Sequence, residues 1–324
     1  MNASLPHRVL GRTGIEVSLL GIGGRLGALS DDPGPPNETE EREAIAAMRR
    51  AVDLGVNYFD TAPCYGYGTS EGYLGSALQA LTSDEREGLV LSTKVGSHLE
   101  RLNEYDADTI KWSFEQSLEK ISVDYIHIVY VHDPTEEEHI DLILSDRGAV
   151  AALEELKEQG VIGAIGMGVG IHRFLRRFID SGRADVVLVP YDFNPIRDSG
   201  RELISHAEAA GVGVVNASPY MAGLLAAPEV DRVIKAEKFP AATKKRAELI
   251  YNWCLERELD PGVVAVQFAA RHSGVGNVLI GARTATEVSE NVRRTTTEVP
   301  PEVWVEFEAF RSALEPPASG GEAR

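Results

Sequence analysis

Four side chains in this chain have the types and places to move a proton to or from an oxygen atom. Asp60 ends a short apolar run, Tyr65 lies in the Gly- and Pro-rich loop after it, Lys94 ends Leu-Val-Leu-Ser-Thr-Lys, and His132 ends Ile-His-Ile-Val-Tyr-Val-His. A tyrosine phenol has an ordinary pKa near 10, too high for free proton exchange at neutral pH. A lysine ammonium beside it stabilises the phenolate and lowers that value. A carboxylate paired with the lysine keeps it charged and in place, and a histidine can orient a substrate oxygen. With a hydride carrier alongside, such a group interconverts carbonyl and alcohol through proton transfer at tyrosine. Any one of these residues at a strand end is ordinarily a surface hydrogen-bonder. Their joint placement at three successive strand ends carries the argument.

The elements that must position them alternate along the chain. Short apolar runs at 19–23, 57–60, 89–94, 124–131, 161–167, 185–190, 212–216 and 277–281 are separated by helical patterns at 38–54, 71–80, 108–121, 147–159, 171–181 and 199–210. The runs are continuously apolar, as parallel strands buried on both faces are. Eight of them alternating with helices predict an α/β fold, a (β/α)8 TIM barrel. A doubly wound sheet is the competing architecture, but Leu19-Leu-Gly-Ile-Gly-Gly24 lacks the GxGxxG that opens a helix in dinucleotide sites. Residues 8–18 predict a small β-hairpin before the barrel. Ser70 and Glu71 read as the cap and acidic first turn of a helix, and Asn37 with Glu40 as another helix start. About 60 residues separate the seventh and last strands. They hold a basic stretch (Lys235, Lys238, Lys244, Lys245, Arg246) and two helices near 241–258 and 262–272, forming either a cover over a ligand or extra packing on the barrel wall. Residues 1–315 are expected to form one domain, and 316–324 a disordered tail.

Composition narrows the partners. The 324 residues include 50 acidic and 32 basic side chains, net −18, so a phosphate backbone or an anionic membrane is a poor partner. Cys64 and Cys254 form no paired-spacing pattern, and no apolar run has the length of a signal peptide or membrane span, so reduced thiols and a cytoplasmic location are expected. No HxH or His-carboxylate spacing suggests a metal. The oligomeric state is left open.

The motifs Asn57-Tyr-Phe-Asp-Thr-Ala-Pro-Cys-Tyr-Gly, Ser70-Glu-Gly-Tyr-Leu-Gly, Ser92-Thr-Lys, His132-Asp-Pro, Ile162-Gly-Ala-Ile-Gly-Met-Gly, Asn216-Ala-Ser-Pro-Tyr and Ile280-Gly-Ala-Arg-Thr-Ala-Thr-Glu-Val-Ser-Glu-Asn span nearly the whole chain. Together they resemble the aldo-keto reductases. That resemblance implies a nicotinamide cofactor held on a barrel without a Rossmann fold, and a catalytic tetrad of Asp60, Tyr65, Lys94 and His132 with Tyr65 as general acid/base. It also implies cofactor contacts from Gly168, Ser218, Tyr220, Gly281, Arg283, Glu287, Glu290 and Asn291. Three positions depart from the family pattern: Gly168-Val169 stands where a Ser-Asn pair is common, Pro190 where a glutamine is, and Ala217 where an aromatic is.

Glu287 favours NAD, because a carboxylate accepts from a ribose 2′-hydroxyl and repels a 2′-phosphate, by the logic of the acidic residue in Rossmann sites. Arg283 and Arg293 argue for NADP, which stays the alternative. The motifs are most similar to the branch of D-threo-aldose 1-dehydrogenases, L-fucose and L-galactose dehydrogenases and pyridoxal 4-dehydrogenase, implying oxidation of a small sugar or hemiacetal to a lactone. Two other readings remain open: an NADPH-dependent reductase of aldehydes or ketones, and a nucleotide-sensing binding protein like the barrel β-subunits of potassium channels.

Overall fold

The computed structural model describes residues 5–27, 36–226, 229–231 and 239–314. Eight parallel strands close into a barrel in the order β3 (Leu20–Gly23), β4 (Tyr58–Asp60), β5 (Val90–Val95), β8 (Ile126–His132), β9 (Ile162–Gly168), β10 (Val186–Pro190), β11 (Gly213–Ala217) and β12 (Asn277–Gly281), which returns to β3. The sequence reading of a (β/α)8 barrel therefore holds, with each run within two or three residues of its predicted span. The apolar runs are buried on both faces because side chains alternate between the barrel interior and the helix layer. The interior holds Val90, Ile128, Ala164, Val186, Leu188 and Val215, while Phe59, Leu91, Val129 and Val187 pack outward.

The predicted hairpin pairs β1 (His7–Val9) with β2 (Glu16–Ser18). It lies across the N-terminal end of the barrel. Leu10 and Val17 join the interior cluster, while Arg8 donates to Val275 O at 2.6 Å and Arg12 to Ala184 O at 2.8 Å. A second two-stranded ribbon, β6 (Ser97–His98) with β7 (Arg101–Leu102), rises from the other end just after Lys94.

Helix boundaries follow the sequence patterns closely. Asn37 Oδ1 accepts from Glu40 N at 3.0 Å and starts the helix Glu38–Asp53, as predicted. At the next helix, Ser70–Gln79, the expected Ser70 cap is not made. The N-cap is Thr69, without a side-chain cap bond, and Ser70 Oγ donates instead to Gly24 O at 2.7 Å while accepting from Thr61 Oγ1 at 3.0 Å. A tertiary contact has taken the hydroxyl, and it ties the loop after β4 to the end of β3. In the long connection before β12, the helices are Ala241–Leu255 and Pro261–Ala270. Lys235 and Lys238, like the tail 316–324, lie outside the described residues. Two further helices, Ala285–Thr296 and Pro301–Ala313, follow β12 among the described residues. None of the described helices is long and apolar enough to cross a membrane.

Candidate active site

Strand register and the turn after β4 bring the four candidate residues together at the C-terminal end of the barrel, where barrel enzymes keep their sites. Asp60 ends β4, Lys94 lies near the end of β5 and His132 ends β8, all facing inward. Lys94 Nζ donates to Asp60 Oδ2 at 2.5 Å and to Thr61 O at 2.7 Å, and Ser92 Oγ lies 2.6 Å from Asp60 Oδ1. This pair is closed to water, with Lys94 1% and Asp60 5% exposed. Buried charges persist only when paired and hydrogen-bonded, and here both conditions are met.

Tyr65 begins the 3-10 turn Tyr65–Gly68, in which Gly66 (φ 58) and Tyr67 (φ 53) are left-handed. The turn carries the half-buried Tyr65 ring over Lys94, whose Nζ lies 4.6 Å from the ring centroid, and against His132 edge-on at 5.8 Å. Burial pushes the Tyr65 phenol up to about 12, and the opposing pull of Lys94 does not offset it. The sequence argument had Lys94 lowering that value. The charge acts in that direction, but removal from water outweighs it. Lys94 itself is pulled down by burial, yet the negative groups at Asp60 and Tyr65 leave it raised overall. His132 is held well below its ordinary value by burial and by the charge of Lys94. It is thus a neutral imidazole at physiological pH. Its Nδ1 lies 2.9 Å from Ser97 Oγ, and its carbonyl accepts from Tyr105 Oη at 2.9 Å. Nε2 is the ring atom left for a ligand, with Asp133 Oδ2 3.4 Å away.

These groups sit at one end of a cavity of about 1350 Å³. Asp60, Tyr65 and His132 line it, and Lys94 stands behind them. The eight residues assigned to the cofactor, Gly168, Ser218, Tyr220, Gly281, Arg283, Glu287, Glu290 and Asn291, all line the same cavity. Tyr220 Oη donates to Asn291 Oδ1 at 2.9 Å, which joins the loop after β11 to the helix Ala285–Thr296. That helix opens toward the cavity. Thr284 caps it by accepting from Glu287 N at 3.2 Å, and the glycines Gly23, Gly24 and Gly281 bare the backbone beside it. A helix N-terminus flanked by bare backbone suits a diphosphate. The volume exceeds that of usual single-ligand pockets and suits a dinucleotide with a small substrate. The residues present therefore fit a nicotinamide dinucleotide.

Sequence reading missed several lining residues. Tyr191, directly after β10, has φ 62, and its backbone N donates to Ala217 O at 3.1 Å, so an aromatic side chain stands next to the position where Ala217 lacks one. Its signal was an aromatic one residue past a strand end. Asp133, Arg25 and Arg173 also line the cavity, and only Asp133 had a sequence signal, in His-Asp-Pro. Asp192, two residues past Pro190, also lines the cavity and is engaged by His172 Nε2 at 3.0 Å and Arg197 at 3.1 Å. No group of His, Cys, Asp and Glu among the described residues could hold a metal ion.

Comparison with known proteins agrees with this fold. The chain is 32% identical to L-galactose dehydrogenase of Arabidopsis thaliana, over 89% of this chain and 88% of that protein. It is 29% identical to D-threo-aldose 1-dehydrogenase of a Pseudomonas species, over 90% of this chain and 91% of that one. Among solved structures, the holo form of an aldo-keto reductase from Bacillus halodurans superposes with a TM-score of 0.76 at 26% identity, covering 94% of this chain and 96% of the other. The profile of the aldo/keto reductase family matches residues 20–312. With that match spanning the whole barrel, the chain belongs to the aldo/keto reductase family of oxidoreductases.

Proposed function

We propose that the protein is an NAD-linked dehydrogenase that oxidises the C1 hydroxyl of an aldose, or of a pyridoxal-type hemiacetal, to a lactone. The observation that carries this reading is the meeting of Asp60, Tyr65, Lys94 and His132 at one end of a dinucleotide-sized cavity, in a chain whose relatives include two sugar dehydrogenases. The substrate hydroxyl would lie between Tyr65 Oη and His132 Nε2. Neutral His132 holds its oxygen by a hydrogen bond without contributing a proton of its own. Tyr65, as phenolate stabilised by Lys94, takes the hydroxyl proton, and Asp60 keeps Lys94 charged through that step. When bound, the nicotinamide supplies the acceptor for the hydride leaving C1. The closed pair behind Tyr65 excludes water from the proton's path.

The adenosine end supports NAD. Glu287 accepts from Arg283 N at 2.7 Å and from its guanidinium at 3.2 Å. Arg293 and Arg294 both bind Asp260, and Arg294 also binds Glu290. The cations that would attract a 2′-phosphate already face carboxylates, so a 2′-hydroxyl is the better fit. Tyr191 is the aromatic face available to the nicotinamide ring in place of Ala217. The acidic surface is consistent with a soluble cytoplasmic enzyme acting on small molecules.

The test follows absorbance at 340 nm with L-fucose, D-arabinose, L-galactose and pyridoxal, using NAD and NADP separately. NAD reduction by wild type and its loss in Tyr65→Phe, with cofactor binding retained, is the expected result. One observation favours a second reading. A phenol pushed up to about 12 is protonated at neutral pH and poised as an acid, which suits carbonyl reduction. Silence with sugars, together with NADPH oxidation on simple aldehydes, would establish that reading instead.

A further inference from the structure

Side-chain alternation brings Asp60, Lys94 and His132 to the barrel mouth, and it equally dictates what lies two residues earlier on the same strands: Tyr58, Ser92 and Tyr130. These three form a polar layer among the mostly apolar side chains of the barrel interior, and all are fully buried. The neighbouring strands, β9 beside Tyr130 and β3 beside Tyr58, are cut back to admit the two rings. A Cβ on Gly166 would lie 2.3 Å from Tyr130 Cδ1, and one on Gly21 would lie 2.6 Å from Tyr58 Cδ1.

The hydroxyls run in a line. Tyr130 Oη lies 3.0 Å from Tyr58 Oη, Tyr58 Oη 2.9 Å from Ser92 Oγ, and Ser92 Oγ 2.6 Å from Asp60 Oδ1. Proton counting sets the direction. A carboxylate only accepts, so the single Ser92 proton goes to Asp60. Ser92 then accepts from Tyr58, and Tyr58, its proton committed, accepts from Tyr130. We propose that Tyr130, Tyr58 and Ser92 form a one-way hydrogen-bond chain that positions the Asp60 carboxylate against Lys94 and so sets the positive charge Lys94 presents to Tyr65.

Three features support a positioning role. Aligned hydrogen bonds in a dry interior strengthen one another toward the acceptor. Burial raises both phenols well above their ordinary value, so each stays neutral and able to donate and accept at once. The chain also ends inside the barrel. Tyr130 Oη has no other hydrogen-bond partner among the described residues, and Ile128, Ala164 and Val186 belong to the same apolar cluster. It therefore orients Asp60 and does not conduct protons to solvent. With Oδ1 filled from below, Asp60 meets Lys94 through Oδ2 alone. Without that restraint the carboxylate can turn and draw the ammonium proton more fully, leaving less charge facing Tyr65.

This inference rests on the reading of Asp60, Lys94 and Tyr65 as a working unit, and its test uses one readout that needs no turnover. Ser92→Ala, Tyr58→Phe and Tyr130→Phe are compared with wild type. The first readout is the Lys94 15Nζ resonance in 15N-lysine-labelled protein, assigned by its loss in Lys94→Met. The second is the pH profile of kcat, whose alkaline limb reports Tyr65, a group faced by Lys94, Asp60, Cys64, Asp133 and His132. The resonance should move most in Ser92→Ala, less in Tyr58→Phe and least in Tyr130→Phe. The alkaline limb should move to higher pH in the same order, with kcat near neutrality falling about tenfold or more in Ser92→Ala, the scale of a lost hydrogen bond to a charged group. KM for the cofactor should not change. The two tyrosine variants each lose one buried hydroxyl, so a packing role predicts equal losses of stability and an unmoved resonance. That result, or a reversed order, overturns the proposal. If the wild-type protein turns over no sugar or carbonyl but the resonance order holds, the dehydrogenase reading falls and the chain stands.

Discussion

Replacing Lys94 with methionine tests the electrostatic core of the site. Methionine keeps much of the side-chain volume and removes the charge together with the hydrogen bonds to Asp60 and Thr61 O. With Nζ 4.6 Å from the Tyr65 ring centroid, an effective dielectric of about 20 makes the lost stabilisation of the phenolate roughly 3.5 kcal/mol. That corresponds to about two and a half pH units on the phenol, or a several-hundredfold smaller phenolate fraction at fixed pH. Sugar oxidation should fall by about that factor near neutrality, and its alkaline limb should leave the accessible pH range. The variant also strands Asp60, buried and without its cation, which costs about 3–5 kcal/mol of stability. The double variant Asp60→Asn/Lys94→Met removes both charges, so it should recover most of that stability and none of the activity. The assay pairs steady-state kinetics from neutral to alkaline pH with thermal unfolding of all three proteins. An unchanged pH profile in Lys94→Met would refute the assigned influence on Tyr65. Activity regained in the double variant would show that the loss came from misfolding.

Three further outcomes follow from the same structure. Glu287→Gln releases the Arg283 guanidinium, so NADP should bind more tightly relative to NAD, and titrations of intrinsic fluorescence that show an unchanged ratio would remove Glu287 as selector. Burial holds His98, His127, His132 and His272 below their ordinary value of 6.5. The unfolded chain therefore binds protons that the folded chain refuses, so stability is full above that value and declines as pH falls through it; a Tm that is flat or rising on acidification to about pH 5.5 contradicts this. Glu71 is buried between the helix Ser70–Gln79 and β5, takes a hydrogen bond from Thr93 at 2.7 Å, and is raised chiefly by burial. An acid so raised loses stability as pH climbs above its unfolded value, so Glu71→Gln should be the more stable protein at neutral pH, with the gap closing toward about pH 4.5. A gap that persists there would place the effect in packing.

Much of this protein was legible in its sequence because it is written in near neighbours. Continuous apolar runs between amphipathic helices specify buried parallel strands, and a polar residue ending such a run points to the barrel mouth whatever its partners are. That is why Asp60, Lys94 and His132 could be placed at the barrel mouth from the sequence, whereas the eight cofactor-end residues came from the family resemblance, and only the fold shows that they share one cavity. The layer of Tyr58, Ser92 and Tyr130 was implied by the same alternation, but its hydrogen bonds join three strands separated by more than thirty residues each. Tertiary structure alone decided the balance of forces at Tyr65, where burial beneath elements distant in sequence outweighs a cation nearby. It also gave Ser70's hydroxyl to Gly24, tied Arg283 to Glu287 and set Tyr191 beside Ala217. Local sequence determines which way a side chain points. What it then meets, and how much water is removed from it, is determined by every element that closes over it.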